Sequence, residues 1–170
     1  EVLEQISKFK YAAVKIANDT LKIKAFRIIS DHMRAACLLL ADGVVPSNKT
    51  QGYILRKFIR RMIVKGRDLE INSNFLSLVA EKLIAISSVS QPQMLENASE
   101  IIKLLELEET KFRKTLKQGL LQFEKVLNSR KVLTGYDMFT LYESFGFPYE
   151  MSLELLLDKG IECDPQKLEQ

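Results

Sequence analysis

The chain has 170 residues, 46% of them hydrophobic, enough for one substantial core or a main bundle with a small appendage. Its 25 basic and 22 acidic residues leave a net charge of only +3, so a surface for an acidic partner must come from the placement of charge and not from its total. No apolar run approaches the roughly 18 residues of a membrane span, and two cysteines with one histidine exclude a disulfide framework or a Cys/His metal cluster.

Residues 1–9 carry Val2, Ile6 and Phe9 at helical spacing, and residues 10–18 are indistinct, either prolonging that helix or forming a loop. A stronger pattern follows. Ile23, Phe26, Ile29, Met33, Cys37 and Leu40 recur three or four residues apart and predict a core-packed helix over 20–41, with Asp19 as its N-cap and Gly43 as its stop. His32, beside Asp31 on that helix, reads as structural, and Cys37 and Cys163 read as reduced structural thiols of an intracellular protein.

Residues 42–48 form a hinge, after which Asn48 with Gln51 has the spacing of a variant capping box. The second helix is predicted over 49–64 and closed by Lys65-Gly66. At 100° per residue, Ile54, Leu55, Phe58, Ile59, Met62 and Ile63 fall on one side and Arg56, Lys57, Arg60, Arg61 and Lys65 on the other. Five cations without an acid among them suit a row of phosphates; an ordinary solvated face is the competing reading.

Residues 67–72 make a polar connection. Asn72 or Ser73 then caps a helix to Ser87, with Phe75, Leu76, Val79, Leu83 and Ile86 inward, until the approach to Pro92 breaks it. A candidate helix over 95–127, roughly 33 residues and about 50 Å long at 1.5 Å per residue, follows. Its buried stripe is Ile101, Leu105, Phe112, Leu116, Leu120, Phe123 and Leu127, and its mixed Glu/Lys surface reads as solvated. Gly119 inside it points to a close approach or a kink. Residues 128–131 read as a turn and 131–134 as at most a short strand. Thr134 caps a helix over 136–145 that ends at Gly146 before Pro148, and Ser152 caps another over 153–159 that ends at Gly160. Asp164-Pro165 has the form of one more helix start, so the chain is expected to be an excised fragment. The fold class is all-α: an irregular helical bundle with one long helix and a small C-terminal helical subdomain.

Four phrases occur in order: Ser30-Asp-His-Met-Arg-Ala-Ala-Cys37 leading into Ala41-Asp-Gly-Val-Val-Pro-Ser-Asn48, then Gly52-Tyr-Ile-Leu-Arg-Lys-Phe-Ile-Arg-Arg61, then Glu108-Glu-Thr-Lys-Phe112-Arg-Lys-Thr-Leu116-Lys-Gln-Gly119, and last Phe139-Thr-Leu-Tyr142-Glu-Ser-Phe-Gly146-Phe-Pro148. Together they closely resemble alanyl-tRNA synthetase, in the helical tRNA-recognition region that follows its catalytic core. The resemblance implies residues 1–18 as a remnant leading from the catalytic domain, 19–130 as the recognition core and 131–170 as the truncated small subdomain.

The resemblance also implies the partner, the acceptor stem of tRNA(Ala), marked by a guanine–uracil wobble pair. Wobble geometry leaves the guanine amine unpaired in the wide, shallow minor groove of A-form RNA, where a carboxylate can accept from it and a side-chain amide can read the uracil. By family position the amide is Asn48 and the carboxylate Glu143, where the family usually has Asp. Each has a plainer reading, Asn48 as a helix cap and Glu143 as a solvated acid. Arg56, Lys57, Arg60, Arg61 and Lys65 would hold phosphates, with Arg27 and Arg34 as weaker candidates. Tyr142, Phe145 and Phe147 read as packing for the Gly-Phe-Pro corner ahead of base-stacking platforms.

The parent enzyme would use ATP with magnesium, and zinc in its editing domain; this chain is expected to hold no cofactor and no adenylation machinery. Further implied are the catalytic and editing domains of the same chain as partners, a cytoplasmic location, and neither membrane nor DNA as partner. Two other readings stay open: a helix-turn-helix-like DNA-binding domain, which also places a basic helix after a glycine-containing turn, and a non-catalytic helical scaffold.

Overall fold

The computed structural model describes residues 20–130 and 133–161. Among them the chain forms seven helices and no strand: α1 (Thr20–Ala41), α2 (Thr50–Asp68), α3 (Leu76–Ser87), α4 (Pro92–Glu96), α5 (Ala98–Arg130), α6 (Gly135–Phe145) and α7 (Tyr149–Asp158). The all-α class and the single long helix are as the periodicity predicts. The expected helix over 1–9, the Asp19 cap, Lys131, Cys163 and the Asp164-Pro165 start lie outside the described residues. Two compact units divide between Thr110 and Lys111, within α5.

In the first unit, α1 packs chiefly on α2, with α3 and α4 against its other contacts. Phe26, Ile29, Met33, Cys37 and Leu40 of α1 are buried with Leu55, Ile59, Met62 and Ile63 of α2 and Phe75, Leu76, Val79 and Leu83 from the α3 segment. Helix α1 ends as expected: Gly43 takes φ +82°, and Val44 N–H turns back to the Leu39 carbonyl at 2.9 Å. Phe58, expected in the core, is half-buried, its ring 4.9 Å from that of His32. Ile54 is 46% exposed and does not belong to the inner face.

Helix α2 does not close at Lys65-Gly66 but continues to Asp68. Gly66 is a packing residue: a Cβ there would lie 2.6 Å from Phe75 Cε1, so the ring needs the bare helix surface. The reversal comes later, where Ile71 N–H bonds to the Gly66 carbonyl at 2.9 Å and Glu70 takes φ +59°.

Helix α3 is not capped by Asn72 or Ser73. Its first amides are met from α5 by Glu109, whose carboxylate accepts from Phe75 N–H at 3.2 Å and from Leu76 N–H at 3.0 Å. Glu109 is fully buried, so this carboxylate sits where the helix macrodipole is positive and water is excluded. Ile86, expected inward, is 49% exposed, while Ala80 and Ile84 are buried.

Pro92 opens the short helix α4, and Asn97 separates it from α5 by turning its N–H and its Nδ2 onto the Gln93 carbonyl. The long helix therefore starts and ends later than 95–127 and keeps the expected length of 33 residues. Residues 128–130, expected as a turn, are its last helical residues. Its inner stripe is Ile101, Leu105, Phe112, Leu116, Phe123 and Leu127, with Leu120 half-buried. Glu108 and Glu109 lie inside that stripe, contrary to the expectation of a wholly solvated charged surface.

In the second unit, Thr134 and Asp137 form a capping box: Asp137 N–H donates to Thr134 Oγ1 at 3.2 Å and Thr134 N–H to Asp137 Oδ2 at 3.0 Å. Leu133 and Thr134 are not in a strand. Helix α6 ends at Gly146, φ +67°, with Phe147 N–H on the Leu141 carbonyl at 3.1 Å. The corner that follows is seated on Gly119 of α5, where a Cβ would lie 3.0 Å from Phe145 Cβ and 3.1 Å from Phe147 Cδ2. Thr115 Oγ1 also donates to the Phe145 carbonyl at 2.9 Å. Glycine at 119 thus serves close approach, one of its two expected uses. Helix α7 begins at Tyr149 after Pro148, so Ser152 is a buried residue of its first turns and not its cap. Among the described residues no helix is long and apolar enough to cross a membrane.

Candidate nucleic-acid interface

The hinge after α1 lies over the start of α2. Ser47 N–H donates to the Gly52 carbonyl at 3.1 Å, while Ser47 Oγ donates to the Lys49 carbonyl at 3.0 Å and accepts from Lys49 N–H at 3.3 Å. Only glycine fits at 52: a Cβ would stand 2.1 Å from Ser47 Oγ and 2.5 Å from the Val45 carbonyl oxygen. The N-cap position of α2 is Lys49, without a side-chain cap bond, so the Asn48/Gln51 capping box is not formed. Asn48 is exposed, and its Oδ1 accepts from Arg56 Nη1. Arg56 Nη2 also reaches the Pro46 carbonyl, at 3.3 Å. One guanidinium from the second turn of α2 therefore holds the loop on both sides of Ser47.

The basic face is not without an acid. Glu108, from α5, brings Oε1 within 3.2 Å of Arg56 Nε, 3.0 Å of Arg60 Nε and 2.9 Å of Arg60 Nη2. All three side chains are largely covered, at 22%, 15% and 7% exposure for Arg56, Arg60 and Glu108. The sequence pattern missed this because Glu108 is remote in the chain. A signal was present, though: Glu108 falls between Leu105 and Phe112, in register with apolar positions. One carboxylate set between two guanidiniums leaves that pair net positive.

Arg61 Nη1 lies 3.2 Å from His32 Nε2, and since arginine only donates, the histidine nitrogen is the acceptor. His32 is thus a partner of Arg61. Lys65 leaves the basic face altogether: it is 3% exposed, with Nζ 3.1 Å from Asp68. Lys57 is half-buried on α2, and Arg27 and Arg34 are exposed on α1.

Glu143 belongs to the second unit, exposed near the end of α6. Of its aromatic neighbours, Phe147 is buried with its ring 6.3 Å from that of Phe112, Phe145 is half-buried, and Tyr142 is 37% exposed. Packing thus accounts for Phe147 and much of Phe145, but not for Tyr142. Cys37 is a free, buried thiol whose pKa burial pushes up to about 12. Among the described residues no three His, Cys, Asp or Glu side chains gather as a metal site.

A family model described as tRNA synthetases class II (A) matches residues 1–170. Alanine–tRNA ligase 1 of Lachnoclostridium phytofermentans is 36% identical over 170 residues, which cover 97% of this chain and 19% of that protein. Alanine–tRNA ligases of Mesoplasma florum and Colwellia psychrerythraea are each 36% identical as well, over 93% and 85% of this chain and 18% and 17% of their own lengths. The chain spans about a fifth of the length of the curated relatives it matches.

Proposed function

The chain belongs to the tRNA synthetases class II (A), the alanyl-tRNA synthetase family, and on that premise we propose that it recognises the acceptor stem of tRNA(Ala). In this reading Asn48 and Glu143 read the guanine–uracil wobble pair from the minor groove. Arg60, Arg61 and Lys57 hold backbone phosphates and set the register, and exposed Arg27 and Arg34 extend the positive surface. Lys65 is left out of the set, because a buried ammonium paired with Asp68 has no reach toward a phosphate.

The observation that carries the reading is Asn48 itself: exposed, outside the helix cap, and fixed by Arg56 at the position of the Pro-Ser-Asn phrase. A residue that only capped α2 would have its side chain on the first amides of that helix. The longer protein would attach alanine to its tRNA in the cytoplasm at the cost of ATP. ATP with magnesium, and zinc for editing, would be held by parts of the relatives that this chain does not match.

The test is a gel shift with three ligands: an alanine acceptor-stem hairpin, its G·C variant, and a random DNA duplex. The G·U hairpin is expected to bind tightest and the DNA weakest. Equal binding of the two hairpins removes base readout from this chain, and preference for the duplex DNA favours the helix-turn-helix-like alternative.

A further inference from the structure

We propose that Arg56 and Glu108 are positioning residues that fix the polarity of Asn48, so that its amide offers the RNA a hydrogen-bond donor and not an acceptor. The inference rests on the acceptor-stem reading above and adds the chemical sense in which Asn48 reads.

The two ends of a side-chain amide are nearly alike in shape, and an unconstrained asparagine presents either. Here the choice is set by chemistry. A guanidinium has five donors and no acceptor, so whatever amide end lies against Arg56 is the carbonyl oxygen. The other end, Nδ2, has no partner among the described residues, and Asn48 is exposed. Arg56 is itself immobilised. Nη2 is on the Pro46 carbonyl at 3.3 Å, and Nε is 3.2 Å from Glu108 Oε1, an oxygen shared with Arg60 at 2.9 and 3.0 Å. Glu108 is only 7% exposed, so the anchor beneath Arg56 is held in the protein interior.

Two consequences follow for recognition. In the minor groove the acceptors are uracil O2 and purine N3, and the guanine amine is the donor. An outward Nδ2 meets the first kind and cannot serve the second, which leaves the amine to a carboxylate. Arg56 also drops out as a phosphate anchor, although the helical charge pattern places it with Arg60 and Arg61. Its Nη1 and Nη2 are turned to the loop, and its Nε lies at ion-pair distance from Glu108 without a hydrogen bond.

Three measurements on the whole chain test this. First, Asn48→Asp preserves shape and the bond to Arg56 but shows the RNA only acceptors. It is expected to bind the G·U hairpin about five- to tenfold more weakly, as Asn48→Ala does. Replacing the uracil by 2-thiouridine, a poorer acceptor, is expected to weaken the unmutated chain by a similar factor and Asn48→Asp hardly at all. Second, Arg56→Gln and Glu108→Gln are expected to shrink the preference for G·U over G·C while leaving the salt dependence of binding unchanged. A phosphate anchor behaves in the opposite way, losing about one unit of log–log salt slope with the preference intact. Third, urea unfolding of Asn48→Ala, Arg56→Ala and the double variant reads the contact without RNA, and a coupling of about three- to tenfold in the folding constant is expected. Undiminished G·U binding by Asn48→Asp, a lowered salt slope with full preference in Arg56→Gln, or zero coupling in the unfolding cycle overturns the proposal. If the unmutated chain does not prefer G·U, the acceptor-stem reading fails by itself, and the unfolding cycle still decides whether Arg56 holds Asn48.

Discussion

Replacing Gly52 by alanine pits two physical effects of opposite sign against each other. Helix propensity alone favours alanine by about 1 kcal/mol in a helix interior. The loop opposes it. A Cβ at 52 would lie 2.1 Å from Ser47 Oγ, 2.9 Å from Ser47 Cβ and 2.5 Å from the Val45 carbonyl oxygen, where ordinary contact is about 3.5–4.0 Å. Rotating Ser47 relieves the first contact but gives up its bonds to Lys49. The Val45 oxygen is backbone, so the loop must move by about 1 Å to restore contact distance, and the Ser47–Gly52 bond is lost with it. Overpacking of this kind costs about 1–3 kcal/mol, and each hydrogen bond lost adds about 1 kcal/mol. After the propensity gain the net expectation is a loss of about 2 kcal/mol, with a weaker preference for the G·U hairpin because Asn48 rides on the displaced loop. Urea denaturation followed by far-UV circular dichroism gives the first number and the gel shift the second. A Gly52→Ala chain more stable than the parent by about 1 kcal/mol, with its preference intact, would refute the seating of the loop on α2.

Glu109→Ala strips the acceptor from the amides of Phe75 and Leu76 and leaves both buried, an expected loss of about 3 kcal/mol in urea unfolding. Glu109→Gln keeps the volume and an acceptor oxygen without the charge and is expected to lose about half as much; a Gln variant as stable as the parent would show that the negative charge does not hold the start of the helix. Burial raises the Cys37 thiol from 9.0 to about 12, so it should resist thiol reagents at pH 8 in folded Cys163→Ser protein and react at once in denaturant. The same shift has a sign in stability. The unfolded chain ionises first, so Cys37's contribution is complete below about pH 9 and falls by up to about 1.4 kcal/mol per unit as the pH rises toward 12. Between pH 9 and 10.5, Cys37→Ala is therefore expected to lose stability less steeply than the parent; parallel curves would contradict the burial argument.

Helix α1 was legible in the sequence because its signals are local: an apolar stripe of one period and a glycine just beyond it. The Thr134/Asp137 box and the Gly146 stop were legible for the same reason. Gly66 was misleading, since a glycine that ends a helix and one that admits a ring from another segment look alike until Phe75 is placed. Ser152 failed similarly, being a good cap residue in a place where Pro148 had already started the helix. At the candidate site, the family resemblance singles out Asn48 as a candidate, but nothing local says that it leaves the cap position for Arg56. The role of Glu108 is a long-range fact, for an acid among apolar positions states that it is buried but not which cations bury it.

The Glu109 cap also bears on how the polypeptide acquires its structure. Helix α3 is only 12 residues long and supplies no cap from its own sequence, too short to persist alone in water. The acceptor for its first amides is encoded 33 and 34 residues downstream. On a ribosome adding about 5–20 residues per second, Phe75 waits for about 2–7 s before Glu109 is even synthesised, and longer until it leaves the exit tunnel. Through that interval the first amides of α3 lack the acceptor they have in the folded protein, so its N-terminus can be completed only once the turn of α5 that carries Glu109 is in place.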